Sequence, residues 1–457
     1  MNDRNRIQIC SKASPEEIIK DLSSLVDFQD EGLSLENLND MIEKSLIPHL
    51  MRYNQPGFQS MFNSFPEEGA EFGSKIALTF NQGVTNWQVS PGGVVLEELC
   101  CKALCKLFGF STDADATFMA SGTYGNQEAL YLALHRQAEK EGFNLAEKGL
   151  KGFKDPNRLI ILTSTDAHFS VKHAVRMLGL GEESIRFLSV DSNRRIRINQ
   201  MKEIIKKLEK SKDIFCVFNT AGTTSTGSVD PILPMAEICQ KIDAWLHIDG
   251  AYGFAYSLVP EWKHLFEGAE LADSLCWNPH KQLGVPIPNS LLFVKRWEDF
   301  GRMTVYSDYF NRREDSEPNP GLKSPPSTRP FSALSLVTSL RHQGITKVIE
   351  RLRAPLVAIK MFYERLKKES DIELYHQPDL GILCFRIVPN GFPEKELDSL
   401  QRYVYDRIMA ERERTISLTK LDDKVVLRVV AISTVVTTEA LMETISRVQS
   451  LAKEFKK

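Results

Sequence analysis

The sequence contains no long apolar run and no paired cysteine motif, and both absences exclude broad classes of protein. No run approaches the roughly 18–20 apolar residues that a membrane-spanning helix needs. The eight cysteines include no C-x-x-C pair and several have apolar neighbours, which favours reduced thiols over a disulfide framework or a metal site. Residues 1–20 are polar and charged, unlike a signal peptide. We therefore expect a cytoplasmic protein with no membrane partner and no bound metal.

The chain also lacks an excess of charge of either sign. It has 57 Lys and Arg residues against 60 Asp and Glu residues, so no basic field calls for nucleic acid as a partner. Of its 457 residues, 42% are hydrophobic and 26% are charged, which is ordinary for a globular protein. This length predicts more than one domain. We predict a helical arm over residues 1–60, a large domain over residues 61–330 and a small α+β domain over residues 331–457.

Short apolar segments alternate with helical patterns through the middle of the chain. We predict buried strands at residues 159–164, 214–219, 244–249 and 290–295, with helices between them at 126–140, 171–178, 198–210 and 232–241. Such alternation predicts an α/β fold with a mostly parallel sheet and helices on both faces. Ligands of these sheets bind beyond the carboxyl ends of the strands, so the polar residues at those ends are the candidate site residues.

A segment rich in proline, serine and charge interrupts this pattern at residues 311–328. A long uncovered loop in a compact protein is often an active-site lid, and an interdomain linker is the alternative. The sequence leaves both interpretations open. Beyond it, helical patterns at 332–367, 394–410 and 439–454 alternate with strand patterns at 381–388 and 425–432, which predicts the small α+β domain.

Two candidate residues for chemistry follow predicted strands. Lys281 follows Asn278-Pro279-His280 in a turn with apolar neighbours. Burial disfavours the ammonium form, and a neutral amine can form a Schiff base with an aldehyde. Asp249 ends an apolar strand, where a carboxylate can keep a pyridine nitrogen protonated. Taken singly, Lys281 could lie in a surface turn, and Asp249 could cap a helix or bind magnesium.

Two further segments have the composition of a cofactor site. His168 follows a predicted strand and precedes a helix, so it could stack on a planar ring or could be merely structural. The turn Ser121-Gly122-Thr123 leads into a helix, and small residues with hydroxyls at a helix N-terminus can bind an anion. Another hydroxyl-rich turn, at 220–227, contains Thr223.

In this order, the four segments are typical of a pyridoxal phosphate site, and the sequence resembles the group II pyridoxal-phosphate-dependent amino acid decarboxylases. This family includes the glutamate, aromatic amino acid and histidine decarboxylases. The resemblance runs from about residue 50 to the C-terminus and is carried by four stretches. These are Asp-Ala-His168-Phe-Ser-Val-Lys, Ala-Gly-Thr223-Thr-Ser-Thr-Gly-Ser-Val-Asp-Pro-Ile, Trp-Leu-His-Ile-Asp249-Gly-Ala-Tyr-Gly and Asn-Pro-His-Lys281.

The resemblance implies a fold and an activity. The fold would be the type I fold of pyridoxal-phosphate enzymes, as in aspartate aminotransferase, with a mostly parallel seven-stranded sheet, helices on both faces and a smaller α+β C-terminal domain. The activity would be α-decarboxylation of an L-amino acid, giving carbon dioxide and an amine. The family also implies a homodimer, with part of each site supplied near the subunit boundary.

The resemblance also implies a role for each matching residue. Lys281 would carry the cofactor as a Schiff base, and Asp249 would pair with its ring nitrogen. His168 and Ala251 would pack on opposite ring faces, and Thr223 would lie beside the 3′-oxygen. Ser121, Gly122 and Thr123 would bind the phosphate. Asn278 and His280 would lie near the phosphate or near the strand that leads to it.

Two residues are candidates for substrate binding. Asn86 lies in a stretch that resembles the substrate-facing segment of the family. Arg428 lies where glutamate-type members place a carboxylate-binding arginine, which favours an acidic or sulfinic substrate, although an exposed strand-edge arginine would explain it equally well.

The sequence departs from the family pattern at three places. Tyr124 stands where the family has an acid in its phosphate turn, and Gly250 replaces the alanine after the acid. The segment 311–328 has no tyrosine, whereas family members often carry one there as a proton donor. Another outcome on the same cofactor therefore stays open: a C–C lyase, an aminotransferase or a decarboxylation-dependent oxidative deaminase. A non-catalytic binding protein is a further alternative.

Overall fold

A computed structural model describes residues 8–455, which form two compact units. Unit 1 comprises residues 8–65, 357–375 and 382–455, and unit 2 comprises residues 66–356 and 376–381. These units divide the chain at other places than residues 60 and 330, and the three-part division into domains stays a prediction.

Seven strands form the sheet of unit 2. They are β1 (Asp115–Met119), β2 (Leu159–Ser164), β3 (Ile185–Leu188), β4 (Asp213–Thr220), β5 (Trp245–Asp249), β6 (Ser274–Trp277) and β7 (Ser290–Val294). They lie in the order β1-β7-β6-β5-β4-β2-β3. Strand β7 runs in the opposite direction to the other six strands, which are parallel to one another. Strands β1, β2, β5, β6 and β7 are buried along their whole length, as in a sheet covered on both faces. The predicted mostly parallel α/β fold is confirmed.

The described residues also form thirteen α-helical segments. They are α1 (Pro15–Leu22), α2 (Leu35–Ser45), α3 (Glu68–Phe80), α4 (Pro91–Leu107), α5 (Gly122–Lys140), α6 (Leu145–Lys148), α7 (Ser170–Met177), α8 (Ile198–Leu208), α9 (Ile232–Ile242), α10 (Pro279–Gln282), α11 (Ser332–Leu366), α12 (Leu397–Glu411) and α13 (Thr438–Glu454). Helix α11 is interrupted at Gly344, where φ is 70°. Helix α5 begins four residues before its predicted start because Ser121 caps it, with Oγ accepting from the backbone N of Tyr124.

Unit 1 contains a four-stranded antiparallel sheet. Its strands are β8 (Ile372–Leu374), β9 (Ile382–Ile387), β10 (Ser417–Leu421) and β11 (Lys424–Val430), in the order β10-β11-β9-β8. Residues of β9 and β11 share a buried apolar core with α12 and α13. The strand patterns at 381–388 and 425–432 therefore predicted the two central strands, and the sequence analysis missed β8 and β10.

The segment 311–328 lies within unit 2 at both ends, so it does not connect the two units. Arg329, directly after it, is 4% exposed and donates from Nη1 to Pro320 O at 2.7 Å and to Ser324 Oγ at 2.9 Å. Its Nη2 pairs with the carboxylate of Glu97, which is 1% exposed. The interpretation of this segment as a linker between the two units is wrong, because buried charge fixes its C-terminal end to the sheet domain.

We expect the replacement Arg329→Met to destabilise the protein strongly, because it leaves the buried Glu97 carboxylate without its partner. Breaking one side of a buried ion pair costs about 3–5 kcal/mol of the free energy of unfolding. Arg353→Met is the matched control, since the Arg353–Glu261 pair lies at the surface of the same unit and contributes about 1 kcal/mol or less. Denaturant unfolding of both variants measures the difference. Equal losses of stability would contradict a dominant role for the buried pair.

Candidate active site

The candidate residues of unit 2 follow strands whose carboxyl ends lie at one edge of the sheet. Asp249 is the last residue of β5, and Lys281 lies in the short helix α10, directly after β6. His168 lies between β2 and α7, and Thr223 follows β4. Ser121 lies between β1 and α5, and β1 runs parallel to β6 because both are antiparallel to β7. Parallel strands bring these segments to the same edge, where ligands of such sheets bind.

Asp249 is a buried carboxylate held at both oxygens. It is 6% exposed, its Oδ1 accepts from the backbone N of Ala251 at 3.1 Å, and its Oδ2 accepts from Asn126 Nδ2 at 2.8 Å. The carboxylate is therefore fixed in orientation at the end of its strand.

His168 is electrostatically linked to the two other predicted catalytic residues. Burial lowers the pKa of His168, the nearby Asp249 carboxylate opposes this shift, and Lys281 adds to it. The backbone N of Ser170 donates to His168 Nδ1 at 3.2 Å. A neutral imidazole that accepts at Nδ1 carries its proton on Nε2. The structure thus brings His168, Asp249 and Lys281 within mutual electrostatic reach.

The turn before α5 lies against two other predicted cofactor residues. A Cβ added to Gly122 would lie 2.9 Å from Asn278 Nδ2 and 3.2 Å from the Cβ of Ala251. Only glycine fits this approach, and the first backbone N–H groups of α5 have no partner within the helix. Thr123 lies in the first turn of the same helix. Gly122, Ala251 and Asn278 are therefore in one cluster, next to a helix end that suits an anion.

His280 is half-buried and Thr223 is fully buried, and both make hydrogen bonds with residues near them in the sequence. Nδ1 of His280 lies 2.6 Å from the carbonyl O of Asn289, and burial lowers the pKa of His280 to about 4. Thr223 Oγ1 lies 2.7 Å from Thr226 Oγ1 and accepts from the backbone N of Ser228 at 3.2 Å. The predicted contacts of these two side chains with a cofactor stay predictions.

The predicted substrate residues lie in different units. Asn86, in unit 2, is 3% exposed and donates from Nδ2 to Asn311 Oδ1 at 3.3 Å. Arg428, in unit 1, is 4% exposed and donates from Nη1 to Ser60 O and to Ser417 Oγ, both at 2.8 Å. Arg428 lies on the central strand β11, so the interpretation as an exposed strand-edge arginine is wrong.

The sequence analysis assigned no role to Asn126 or His247, although His247 lies within a quoted stretch and Asn126 lies at the start of the predicted helix 126–140. Asn126 contacts Asp249 directly, and His247 Nε2 lies 2.9 Å from Asn126 Oδ1. The signal for His247 was its position two residues before Asp249 on one strand, because alternate residues of a strand share a face. No comparable signal indicated Asn126, which contacts the acid from a helix 123 residues away in sequence.

The sequence profile of the pyridoxal-dependent decarboxylase conserved domain matches residues 15–388. The chain belongs to the pyridoxal-dependent decarboxylase family. It is 26% identical to the L-2,4-diaminobutyrate decarboxylase of Acinetobacter baumannii over 457 residues, covering 96% of this chain and 88% of that one. It is 27% identical to the acidic amino acid decarboxylase GADL1 of Homo sapiens over 399 residues, covering 85% and 74% of the two chains.

Among solved structures, mouse CSAD in apo form superposes with a TM-score of 0.89 and 24% sequence identity, covering 97% of this chain and 93% of that chain. At this identity the likeness establishes the fold, which is the type I fold of pyridoxal-phosphate enzymes. Together with the family match, this makes the protein a pyridoxal-phosphate-dependent decarboxylase.

The residues of the site fit the cofactor of the family. The cluster at Gly122 leaves no room for a side chain, as a close approach of backbone to phosphate requires. Asp249 supplies the buried acceptor that a protonated ring nitrogen needs. Within residues 8–455, no three His, Cys, Asp or Glu side chains are grouped as a metal site requires. No helix in the described part of the chain combines the length and apolar character needed to cross a membrane.

We expect Gly253→Ala to disturb the turn that follows Asp249. A Cβ at Gly253 would lie 2.1 Å from the backbone O of Ala221, so the backbone has to move. Such overpacking costs about 1–3 kcal/mol. Gly301→Ala is the control, because a Cβ there meets no atom within 4 Å. Thermal unfolding and retention of bound cofactor measure the effect, and a Gly253→Ala variant that matches the control in both would refute the steric argument.

Proposed function

We propose that the chain is an L-amino-acid α-decarboxylase whose cofactor is held by Lys281. The observation that supports this most directly is the electrostatic linkage of His168 with Asp249 and Lys281 at one edge of the sheet. Each has the chemistry that its proposed role needs: an amine to bind an aldehyde, a fixed carboxylate and a neutral imidazole.

Each group of the cofactor has a proposed partner among the residues of the site. Lys281 would hold its aldehyde carbon through Nζ, and Asp249 would hold a proton on its ring nitrogen. Ala251 and His168 would pack on its two faces, and Thr223 would lie beside its 3′-oxygen. Its phosphate would bind at the N-terminus of α5 and nearby, through Ser121, Gly122, Thr123, Asn278 and His280.

When bound, pyridoxal phosphate supplies a ring that takes up the electrons left by departing carbon dioxide. The residues of the chain then have separate tasks. Asp249 would accept a hydrogen bond from the proton-bearing ring nitrogen that makes the ring an electron sink, and hydrogen bonds from Asn126 and from the Ala251 backbone fix its two oxygens for this role. His168 adds no charge at neutral pH, since burial keeps its imidazole neutral. The helix terminus at Ser121 neutralises the phosphate and fixes the orientation of the ring.

We propose that the substrate has an acidic side chain and that Arg428 recognises it, with Asn86 also contributing to substrate binding. The acidic amino acid decarboxylase among the relatives supports this class, whereas the diaminobutyrate decarboxylase acts on a substrate of another charge. A guanidinium suits a carboxylate or sulfinate because it can donate two parallel hydrogen bonds.

We further propose a homodimer in the cytoplasm. Helices α1 and α2 have no buried residue. In the single chain Phe28, between the two helices, is 92% exposed, and Leu35, the first residue of α2, is 85% exposed. An amphipathic arm of this kind needs another surface for its apolar side chains, and a second copy of the chain would supply it.

A second candidate outcome is supported by the loop sequence. Residues 311–328 contain no tyrosine, and Tyr306 and Tyr309 lie before the segment, 42% and 84% exposed. Without a proton donor in this loop, decarboxylation-dependent oxidative deamination would compete: the amino acid, dioxygen and water would give carbon dioxide, aldehyde, ammonia and hydrogen peroxide. Product analysis distinguishes this outcome, because an α-decarboxylase releases carbon dioxide and an amine only.

We expect borohydride to fix the cofactor on Lys281. Reduction of the wild-type holoenzyme followed by peptide mass analysis locates the modified residue. In Lys281→Arg the positive charge remains, but a guanidinium cannot form the reducible link, so no modified peptide is expected. Lys295→Arg is the control, since Lys295 lies at the surface with Nζ donating to Leu271 O at 3.3 Å. Modification at another lysine, or persistence in Lys281→Arg, would disprove the assignment.

We expect carbon dioxide release from aspartate, glutamate or cysteine sulfinate, and little from aromatic or basic amino acids. Arg428→Lys keeps a charge but loses the bidentate geometry, so we expect KM for an acidic substrate to rise roughly tenfold with a smaller change in kcat. Arg386→Lys is the control, since Arg386 is a buried arginine of unit 1 paired with Asp398 and Glu394. If the enzyme acts only on aromatic amino acids, the proposed role of Arg428 is wrong.

A further inference from the structure

The carboxylate of Asp249 is the end point of a buried hydrogen-bond chain. Asn126 Nδ2 donates to Asp249 Oδ2 at 2.8 Å and to Ser170 Oγ at 2.9 Å. Asn126 Oδ1 lies 2.9 Å from Nε2 of His247, whose Nδ1 lies 2.8 Å from Ser274 Oγ. Asn126 is 1% exposed and His247 is fully buried, so water does not compete for these bonds.

The contacts at the far end of this hydrogen-bond chain are compatible with donation towards Asp249. Trp245 Nε1 can only donate, and it donates to Ser274 Oγ at 2.8 Å. The single hydroxyl proton of Ser274 is available to His247 Nδ1, which lies 2.8 Å from Ser274 Oγ. Burial lowers the pKa of His247 to about 4, so the imidazole is neutral near pH 7 and carries one proton, on either Nδ1 or Nε2.

The near end requires this direction. The carboxylate of Asp249 can only accept, so the amide of Asn126 must present Nδ2 to it and Oδ1 to His247. His247 must therefore donate from Nε2, and its Nδ1, which then carries no proton, accepts from the hydroxyl of Ser274. Four polar side chains thus donate in one direction, and the hydrogen-bond chain terminates on Asp249, which accepts. Aligned hydrogen bonds of this kind polarise and strengthen one another in a buried site.

We infer that Asn126 and His247 are positioning residues that hold the Asp249 carboxylate towards the ring nitrogen of the cofactor, an inference that rests on the proposed role of Asp249. Neither residue touches the reacting atoms in this scheme. Both act through Asp249, whose remaining lone pairs would face the ring nitrogen while Oδ2 is held by Asn126.

The same amide also links the acid to the segment of the stacking histidine. Asn126 binds Ser170 Oγ, and the backbone N of Ser170 donates to His168 Nδ1. One asparagine therefore fixes Asp249 directly and the N-terminal residue of α7 beside His168. We expect loss of the Asn126 amide to make the positions of both Asp249 and His168 less fixed.

The decisive variant is Asn126→Asp, which keeps the shape but places an oxygen opposite the Asp249 carboxylate. We expect the ¹⁵N resonance of ring-labelled cofactor in the substrate-free holoenzyme to move towards the unprotonated position. We also expect kcat to fall roughly tenfold to a hundredfold, as for loss of a hydrogen bond to a charged group, with little change in KM.

A graded series on His247 separates positioning from simple packing. His247→Gln retains a donor and an acceptor, so we expect it to preserve more of the ring-nitrogen signal and of kcat than His247→Leu, which has neither. The control is His135→Gln, nine residues further along α5 than Asn126, whose Nδ1 pairs with Glu139 at 3.1 Å. This control is expected to leave the ¹⁵N resonance and kcat unchanged.

Thermal unfolding of the apo-proteins identifies a variant that fails to fold, and Ser274→Ala then serves in its place. It removes only the hydroxyl at the far end, so a smaller shift of the ring-nitrogen resonance in the same direction is expected. If the variants melt at lower temperature while the resonance and kcat stay at wild-type values, the network is only structural and the inference is overturned.

The variant Asp249→Asn distinguishes failure of this inference from failure of the proposed function. If Asp249→Asn is the one variant that shifts the ring-nitrogen resonance and abolishes turnover, the role of Asp249 is supported. The proposed role of Asn126 and His247 in the hydrogen-bond chain is then wrong. If Asp249→Asn changes neither quantity, the proposed pairing of Asp249 with the ring nitrogen is wrong, and the inference falls with it.

Discussion

The site depends on one buried carboxylate whose two oxygens are held by hydrogen bonds. Asp249 lies at the end of a strand that is buried along its whole length, where an unsolvated anion would be strongly disfavoured. Hydrogen bonds from the Ala251 backbone and from Asn126 compensate for the lost water. Because the carboxylate is anchored at both oxygens, its orientation is set by the protein before any ligand arrives. A preorganised acceptor of this kind needs no rearrangement when charge develops opposite it.

The parallel sheet explains why the partners of Asp249 meet there. Strands β1, β2, β4, β5 and β6 end at the same edge, and a candidate site residue lies at or directly after the end of each. The register pairs Asp249 with Thr220 on β4 and with Cys276 on β6, so the turns after these strands begin beside the acid. A one-residue slip would reverse the faces of all these side chains. The strand register therefore determines the geometry of the site as much as the motif residues do.

The sequence predicted the central strands, and it indicated candidate residues at their ends, because both follow local rules. Buried strands of five to six apolar residues are recognisable, and polar residues at their ends indicate a site. The short strands β1, β3 and β6 were missed, since four or five residues carry little periodicity. The bond between Asn126 and Asp249 was missed for another reason: it depends on how helix α5 is rotated over the sheet, which no local pattern encodes.

Substrate recognition is harder to predict because it depends on side-chain orientation, which no local sequence pattern encodes. The guanidinium of Arg428 has donors enough for several partners, and two of its hydrogen bonds go to Ser60 and Ser417. These bonds fix the orientation of the side chain whichever substrate the enzyme uses. A sequence motif identifies the arginine but not the direction in which its remaining donors point, and that direction decides between an acidic and another substrate.

The loop at 311–328 combines a fixed end with an exposed middle. Arg329, directly after the loop, pairs with Glu97 on α4 and donates to Ser324 Oγ. Lys323 pairs with Glu98 on α4 and with Asp115 on β1, so these contacts hold the C-terminal part of the loop to the sheet domain. Asn311 at its start accepts from Asn86 and from Asn319, which closes the base of the loop. Between these anchors, residues 313, 314 and 316–318 are exposed. Segments with few buried contacts open at low free energy, so any movement of this loop is confined to its middle while its anchors stay with the sheet.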